Sequence, residues 1–95
     1  MERSEKLVKE DVKKLLKKHG AYWYMVVPGG FGARGVPDFL VCHKGRFLAV
    51  ETKRDGITKP SPHQELQMDA IEDAGGGTMV INAANQHLLE DWLKK

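Results

Sequence analysis

Leu7, Val8, Val12, Leu15 and Leu16 recur at three- and four-residue steps within SEKLVKEDVKKLLKKHG, the spacing of one helix face. Gly20 supplies the left-handed residue that ends such a helix. The next run, AYWYMVV (21–27), is dense in aromatic and β-branched residues and predicts a strand. PGGFGARGVP (28–37) can hold no regular element and reads as a loop. Two strands follow, DFLVC and RFLAVETK, with a short turn at Lys44-Gly45 between them. The polar stretch RDGITKPSP leads into a second helix, signalled by Ser61 as N-cap, Pro62 at the first helical position and Gln64 three residues after the cap. Gly75-Gly76-Gly77 ends that helix, TMVI is a fourth strand, and Leu88, Leu89, Trp92 and Leu93 suit a closing amphipathic helix.

The predicted order is α-β-β-β-α-β-α. The strand-helix-strand step over residues 47–81 implies a right-handed crossover and a parallel pair. The fold class is therefore α/β, a small mixed sheet flanked by helices. At 95 residues the chain is read as one domain, 1–95, small enough that dimerisation would help to cover its surface.

Composition narrows the picture a little further. No run approaches the ~18 apolar residues of a membrane-spanning helix, so no membrane partner is expected. A single cysteine, Cys42, excludes an internal disulfide and a cysteine-rich zinc site, and the default setting is cytoplasmic. The four histidines are scattered, without zinc-ligand spacing. Net charge is only +2, from 15 basic and 13 acidic side chains, which is weak support for nucleic acid. The first twenty residues carry the basic excess, seven Lys/Arg against four Asp/Glu.

The hairpin is the most informative segment. If Lys44-Gly45 is a two-residue turn, His43 pairs with Arg46, Cys42 with Phe47, Val41 with Leu48, Leu40 with Ala49 and Phe39 with Val50. Asp38 then stands opposite Glu51. Directly opposed like charges are destabilising, so such a pair calls for a proton, a cationic side chain or a metal ion. Alternation puts Glu51 and Lys53 on one face, with Thr52 pointing away and its carbonyl within reach of an ion held between the acids. Carboxylate oxygens suit Mg²⁺ or Mn²⁺. A bland reading stands beside this one: Glu51 and Lys53 as a surface ion pair, Asp38 as a turn cap. A one-residue slip would separate the acids.

These residues, GVPDFLVCHKGRFLAVETK, resemble the PD-(D/E)XK nuclease signature, and the chain as a whole resembles the virus-type replication-repair nuclease (VRR-NUC) family, in particular its small stand-alone, phage-type members. The likeness rests on Gly35-Val36-Pro37-Asp38, on Glu51-Thr52-Lys53, on Ser61-Pro62-His63-Gln64, on the first helix ending near Gly20 and on the glycine-to-strand step at 75–81. It covers nearly all 95 residues. It implies a restriction-endonuclease-like core and a metal-dependent phosphodiesterase acting on DNA, with Asp38, Glu51 and the Thr52 carbonyl as ligands of Mg²⁺ or Mn²⁺. Lys53 would orient or activate the attacking water, and Gln64 would help to position water or phosphate; Gln64 reads equally well as the capping-box partner of Ser61. The family's first-helix glutamate is matched best by Glu5; Asp11 is a second candidate, while Glu10 falls on the far side of the wheel. The likeness of small members to Holliday-junction resolvases implies a homodimer acting on branched DNA. A flap-type or restriction-like nuclease on the same core, and a non-catalytic DNA-binding subunit, are the alternatives.

For the DNA backbone, Arg34 in the glycine-rich loop and Lys44, Arg46, Arg54 and Lys59 are expected to flank the site. Lys13, Lys14, Lys17 and Lys18 read as a solvated helix exterior sooner than as DNA contacts. The glycine-rich loop lacks the Lys-Ser/Thr ending of a P-loop, so no nucleotide cofactor is expected. Tyr22, Trp23 and Tyr24 suit core or dimer contacts better than base stacking, and Cys42 a small buried apolar position.

Overall fold

The computed structural model describes residues 3–27 and 34–95. Seven elements follow in the expected order: α1 (Glu5–Lys18), β1 (Tyr22–Met25), β2 (Phe39–His43), β3 (Arg46–Thr52), α2 (Pro62–Asp73), β4 (Gly77–Ile81) and α3 (Gln86–Lys94). The strands form one mixed sheet in the order β1-β2-β3-β4, antiparallel except for the β3–β4 pair, which is parallel. Of the 28–37 loop, residues 28–33 lie outside the described part. Among the described residues no helix is long and apolar enough to cross a membrane.

The β2–β3 register is the one that a two-residue turn dictates, from His43 opposite Arg46 to Phe39 opposite Val50. Lys44 and Gly45 both have positive φ, +53° and +77°, as a type I′ turn requires. Even-numbered β3 residues Leu48 and Val50 enter a core with Phe39, Val41 and Ile81, roofed by Val8, Val12 and Leu16 of α1 and by Leu89 and Leu93 of α3. Burying each of these side chains is worth about 1.5–3 kcal/mol. Trp23 extends the core edge-on to Phe39, with ring centroids 5.9 Å apart. The odd-numbered face of β3 turns to α2, whose Gln64 meets Glu51 and whose Ile71 stands with Phe47 against Gly76. α2 leaves the β1–β2 side of this face open, so Tyr22, Tyr24 and Cys42 are exposed; Cys42 is not the buried residue its strand position suggested.

Two polar clusters fasten α3. The hairpin caps its C-terminus: His43 Nε2 donates to the Leu93 carbonyl at 3.0 Å, Arg46 to Trp92 O at 2.9 Å and Lys44 to Lys94 O at 3.4 Å. Arg46 also stacks 4.1 Å above the Trp92 ring. On the other flank, Glu90 of α3 meets His19 at 2.7 Å and Lys18 at 3.0 Å, at the end of α1. The hydrogen bond with His19, then that with Lys18, hold the Glu90 carboxyl at about 2, below its ordinary 4.5. A folded-state value below the unfolded one adds stability above pH ~4.5 and loses it as pH falls toward 2. Urea denaturation of the wild type and Glu90→Gln should therefore differ near pH 6 and converge near pH 2; a constant difference would exclude this linkage.

Candidate active site

The sheet's β3 C-terminal end lies between the N-terminal turns of α1, on one face, and α2, on the other. There the ladder is completed by side chains. Just before β2, the Asp38 carbonyl accepts from Val26 N–H at 2.8 Å, and its N–H donates to Glu51 Oε1 at 3.3 Å. Asp38 Oδ2 takes the place of the next strand carbonyl, accepting from Thr52 N–H at 2.9 Å and from Thr52 Oγ1 at 2.5 Å. Asp38 and Glu51 thus lie side by side one position beyond the Phe39–Val50 pair, joined through the Asp38 N–H. The Thr52 side chain points away from Glu51 and Lys53, as alternation requires, and the Asp38 carboxylate turns round the end of the sheet to meet it, a contact the sequence did not suggest. Thr52 is fully buried and fixes Asp38 through N–H and hydroxyl.

Glu51 is 2% exposed. Its Oε2 lies 3.1 Å from Lys53 Nζ and accepts from Gln64 Nε2. Burial, then the Asp38 charge, push the Glu51 carboxyl up from its ordinary value, against the pull of Lys53 and Gln64. Gln64 is the capping-box partner of Ser61, one of the two roles expected of it, and it also contacts the Glu51 carboxylate. Its Oε1 accepts from Ser61 N–H at 2.9 Å while Ser61 Oγ accepts from Gln64 N–H, a complete capping box. The other end of the amide reaches Glu51. The helix start thereby sets the carboxylate's orientation.

Glu5 sits at the rim but is separated from Asp38 by an ammonium. Its carboxylate is 3.7 Å from Lys9 Nζ, which in turn lies 3.9 Å from Asp38 Oδ1. Asp11 is excluded from the site: Arg3 binds it in a bidentate pair at 2.6 and 2.7 Å, and Gln86 donates to it at 2.7 Å, joining α1 to the start of α3. That pairing, chiefly with Arg3, lowers the Asp11 carboxyl below its ordinary value. Glu10 pairs with Lys13 on the surface.

The basic residues divide. Arg34, Arg54 and Lys59 are exposed, on the segments that precede Asp38, follow Lys53 and lead to α2. Lys44 and Arg46 do not flank the site. They stand at the opposite end of β3, about 17 Å from Glu51 at ~3.3 Å per residue, and cap α3.

Two residues to which the sequence reading gave no role of their own, Lys9 and Gly35, complete the site. Lys9 is one helical turn beyond Glu5 on the same border of the apolar stripe, a signal present in the wheel. Gly35 has φ +78°, and a Cβ there would lie 2.5 Å from the His63 carbonyl carbon and oxygen and 2.8 Å from Gln64 N. Its lack of a side chain lets the Asp38 loop touch the first turn of α2.

Asp38 and Glu51 are two carboxylates, and among the described residues no cluster of three or more His, Cys, Asp or Glu side chains could hold a metal ion. The pair nevertheless fits a hard divalent ion that keeps several waters, since such ions bind through one or two carboxylates. Burial first and the neighbouring Asp38 charge second raise the Glu51 carboxyl, and a bound cation would offset the second of these.

No protein-family model matches the sequence, and no curated protein matches it. Among solved structures, the 1.6 Å resolution structure of Hjc, a Holliday junction resolvase from the archaeal hyperthermophile Archaeoglobus fulgidus, is similar with a TM-score of 0.62 at 21% identity. The match covers 81% of this chain and 66% of that one, so the chain spans just under two thirds of the resolvase's length. The fold is resolvase-like. The small mixed sheet with its flanking helices is a restriction-endonuclease-like core.

Proposed function

We propose that this protein is a metal-dependent endonuclease of the VRR-NUC group within the PD-(D/E)XK superfamily, hydrolysing phosphodiester bonds in branched DNA as a homodimer. The observation that carries the reading is the buried Glu51 beside Asp38 at the end of paired strands, with the Lys53 ammonium 3.1 Å away. A structural ion pair has no need of a second carboxylate that works against it. The resolvase-like fold supports the same reading.

Asp38, Glu51 and the Thr52 carbonyl would hold Mg²⁺ or Mn²⁺, which when bound supplies Lewis-acid polarisation and a more acidic water. Thr52 fixes Asp38, and Gln64 fixes Glu51, so neither carboxylate has to reorganise during the reaction. Lys53 Nζ, 18% exposed at the side-chain level, is placed to donate a hydrogen bond to a phosphate oxygen as negative charge develops on it. Arg34, Arg54 and Lys59 would receive the backbone on either side. A two-fold dimer would present two such sites to the two strands of a junction.

The direct test incubates the protein with a four-way junction, a flap and a linear duplex, each in Mn²⁺ and in EDTA. Cutting of the junction in Mn²⁺ alone, in preference to duplex, is the expected result. Equal DNA binding in EDTA with every substrate left intact in Mn²⁺ would identify a binding module and refute the proposal.

A further inference from the structure

The carboxylate oxygens of the pair are committed unequally. Thr52 claims Asp38 Oδ2, while Gln64 and Lys53 claim Glu51 Oε2. The oxygen that Thr52 leaves, Asp38 Oδ1, faces Lys9 Nζ at 3.9 Å. Lys9 reaches it from α1, on the other side of the sheet end from Lys53. Glu5, 3.7 Å from the same ammonium, tethers it from one turn back. The contact is too long for a hydrogen bond, and the Lys9 side chain is 31% exposed, so its four-carbon stem is free to swing.

We infer that Lys9 is an exchangeable cation of this site. With no divalent ion present it neutralises Asp38; when an ion takes Asp38 Oδ1, the ammonium turns outward to a DNA backbone phosphate. The inference rests on the nuclease reading above and gives Glu5 a role other than metal ligation, that of holding Lys9 at the rim. The physical reason is that an ammonium and a divalent ion repel each other at one carboxylate oxygen, and DNA offers the displaced charge a dense row of anions. Metal entry and phosphate capture thereby become one coupled event.

The test has two readouts. The first is Mn²⁺ binding without DNA, titrated calorimetrically for the wild type, Lys9→Met and, as a charge-matched control about two turns away, Lys17→Met. Lys9→Met is expected to bind Mn²⁺ about two- to fivefold more tightly, as loss of one partly exposed competing charge implies; Lys17→Met is expected to match the wild type. The second is the salt dependence of junction binding in a Lys53→Met background that keeps the DNA uncut. Adding Lys9→Met should make the slope of log K against log salt shallower by about one in Mn²⁺ and leave it unchanged in EDTA. Unchanged or weaker Mn²⁺ binding by Lys9→Met would overturn the inference, and so would an equal loss of slope with and without Mn²⁺. If the wild type still cuts junctions, the inference alone falls; if the wild type neither binds Mn²⁺ nor cuts, the nuclease reading falls with it.

Discussion

Replacing Lys53 by methionine is expected to lower single-turnover cleavage in Mn²⁺ by about a thousandfold or more, while the protein stays folded. The magnitude follows from what the ammonium does. Its Nζ lies 3.1 Å from Glu51 Oε2, and in the proposed reaction it would stabilise the negative charge developing on phosphate. Removing one preorganised electrostatic donor of this kind typically costs about 10²–10³ in rate, and loss of acid–base help adds to that. Stability should fall by only about 1–2 kcal/mol, less than for a fully buried broken pair. The Glu51 carboxylate keeps its bonds from Gln64 and from Asp38 N–H. Circular dichroism and thermal melting would check the fold beside the cleavage assay. Wild-type rates from Lys53→Met would show that the ammonium only balances charge.

The same numbers explain why the site is costly without a cation. A glutamate whose folded-state carboxyl is raised disfavours the folded state once pH exceeds its unfolded value, because ionised Glu51 is better solvated in the unfolded chain. Thr52, Gln64 and Lys53 offset part of that penalty. A functional site commonly carries such a local cost.

How much of this was legible in the sequence varies with the range of the interactions involved. The hairpin was readable because one turn length fixes every pair in a two-stranded ladder, and Lys44-Gly45 accepts the positive φ at both central positions. The juxtaposition of Asp38 and Glu51 followed from that register alone. The start of α2 was equally clear, since Ser61, Pro62 and Gln64 act within a single turn. Roles that depend on how one element docks on another were not readable. Lys44 and Arg46 lie near the site along the chain, yet the strand carries them to its opposite end, where the α3 carbonyls await. Asp11 falls within the apolar stripe of α1, but Arg3 and the start of α3 settle its fate. The wheel places Lys9 at the border of the α1 stripe, but its meeting with Asp38 depends on how α1 crosses the end of the sheet.

Gly35 carries the largest expected effect on the fold. Gly35→Ala should destabilise the protein by about 2–5 kcal/mol and detach Gln64 from Glu51. Two costs combine. At φ +78° a Cβ crowds its own backbone, worth about 1–2 kcal/mol. The new methyl would also lie 2.5 Å from the His63 carbonyl atoms and 2.8 Å from Gln64 N, all main chain, so no side-chain rotation relieves the clash. Either the loop before Asp38 or the first turn of α2 must move, and Gln64 belongs to that turn. Gly20→Ala isolates the first cost, because Gly20 shares the left-handed backbone, φ +69°, with nothing within 4 Å of its Cβ position. Urea unfolding of the two variants beside the wild type should show Gly20→Ala losing about 1 kcal/mol and Gly35→Ala several times as much. Cleavage by Gly35→Ala, measured well below its unfolding midpoint, should drop with the loss of the Gln64 contact. Equal losses in the two variants would mean that the approach of the loop to α2 is loose, and that Gln64 holds Glu51 without help from Gly35.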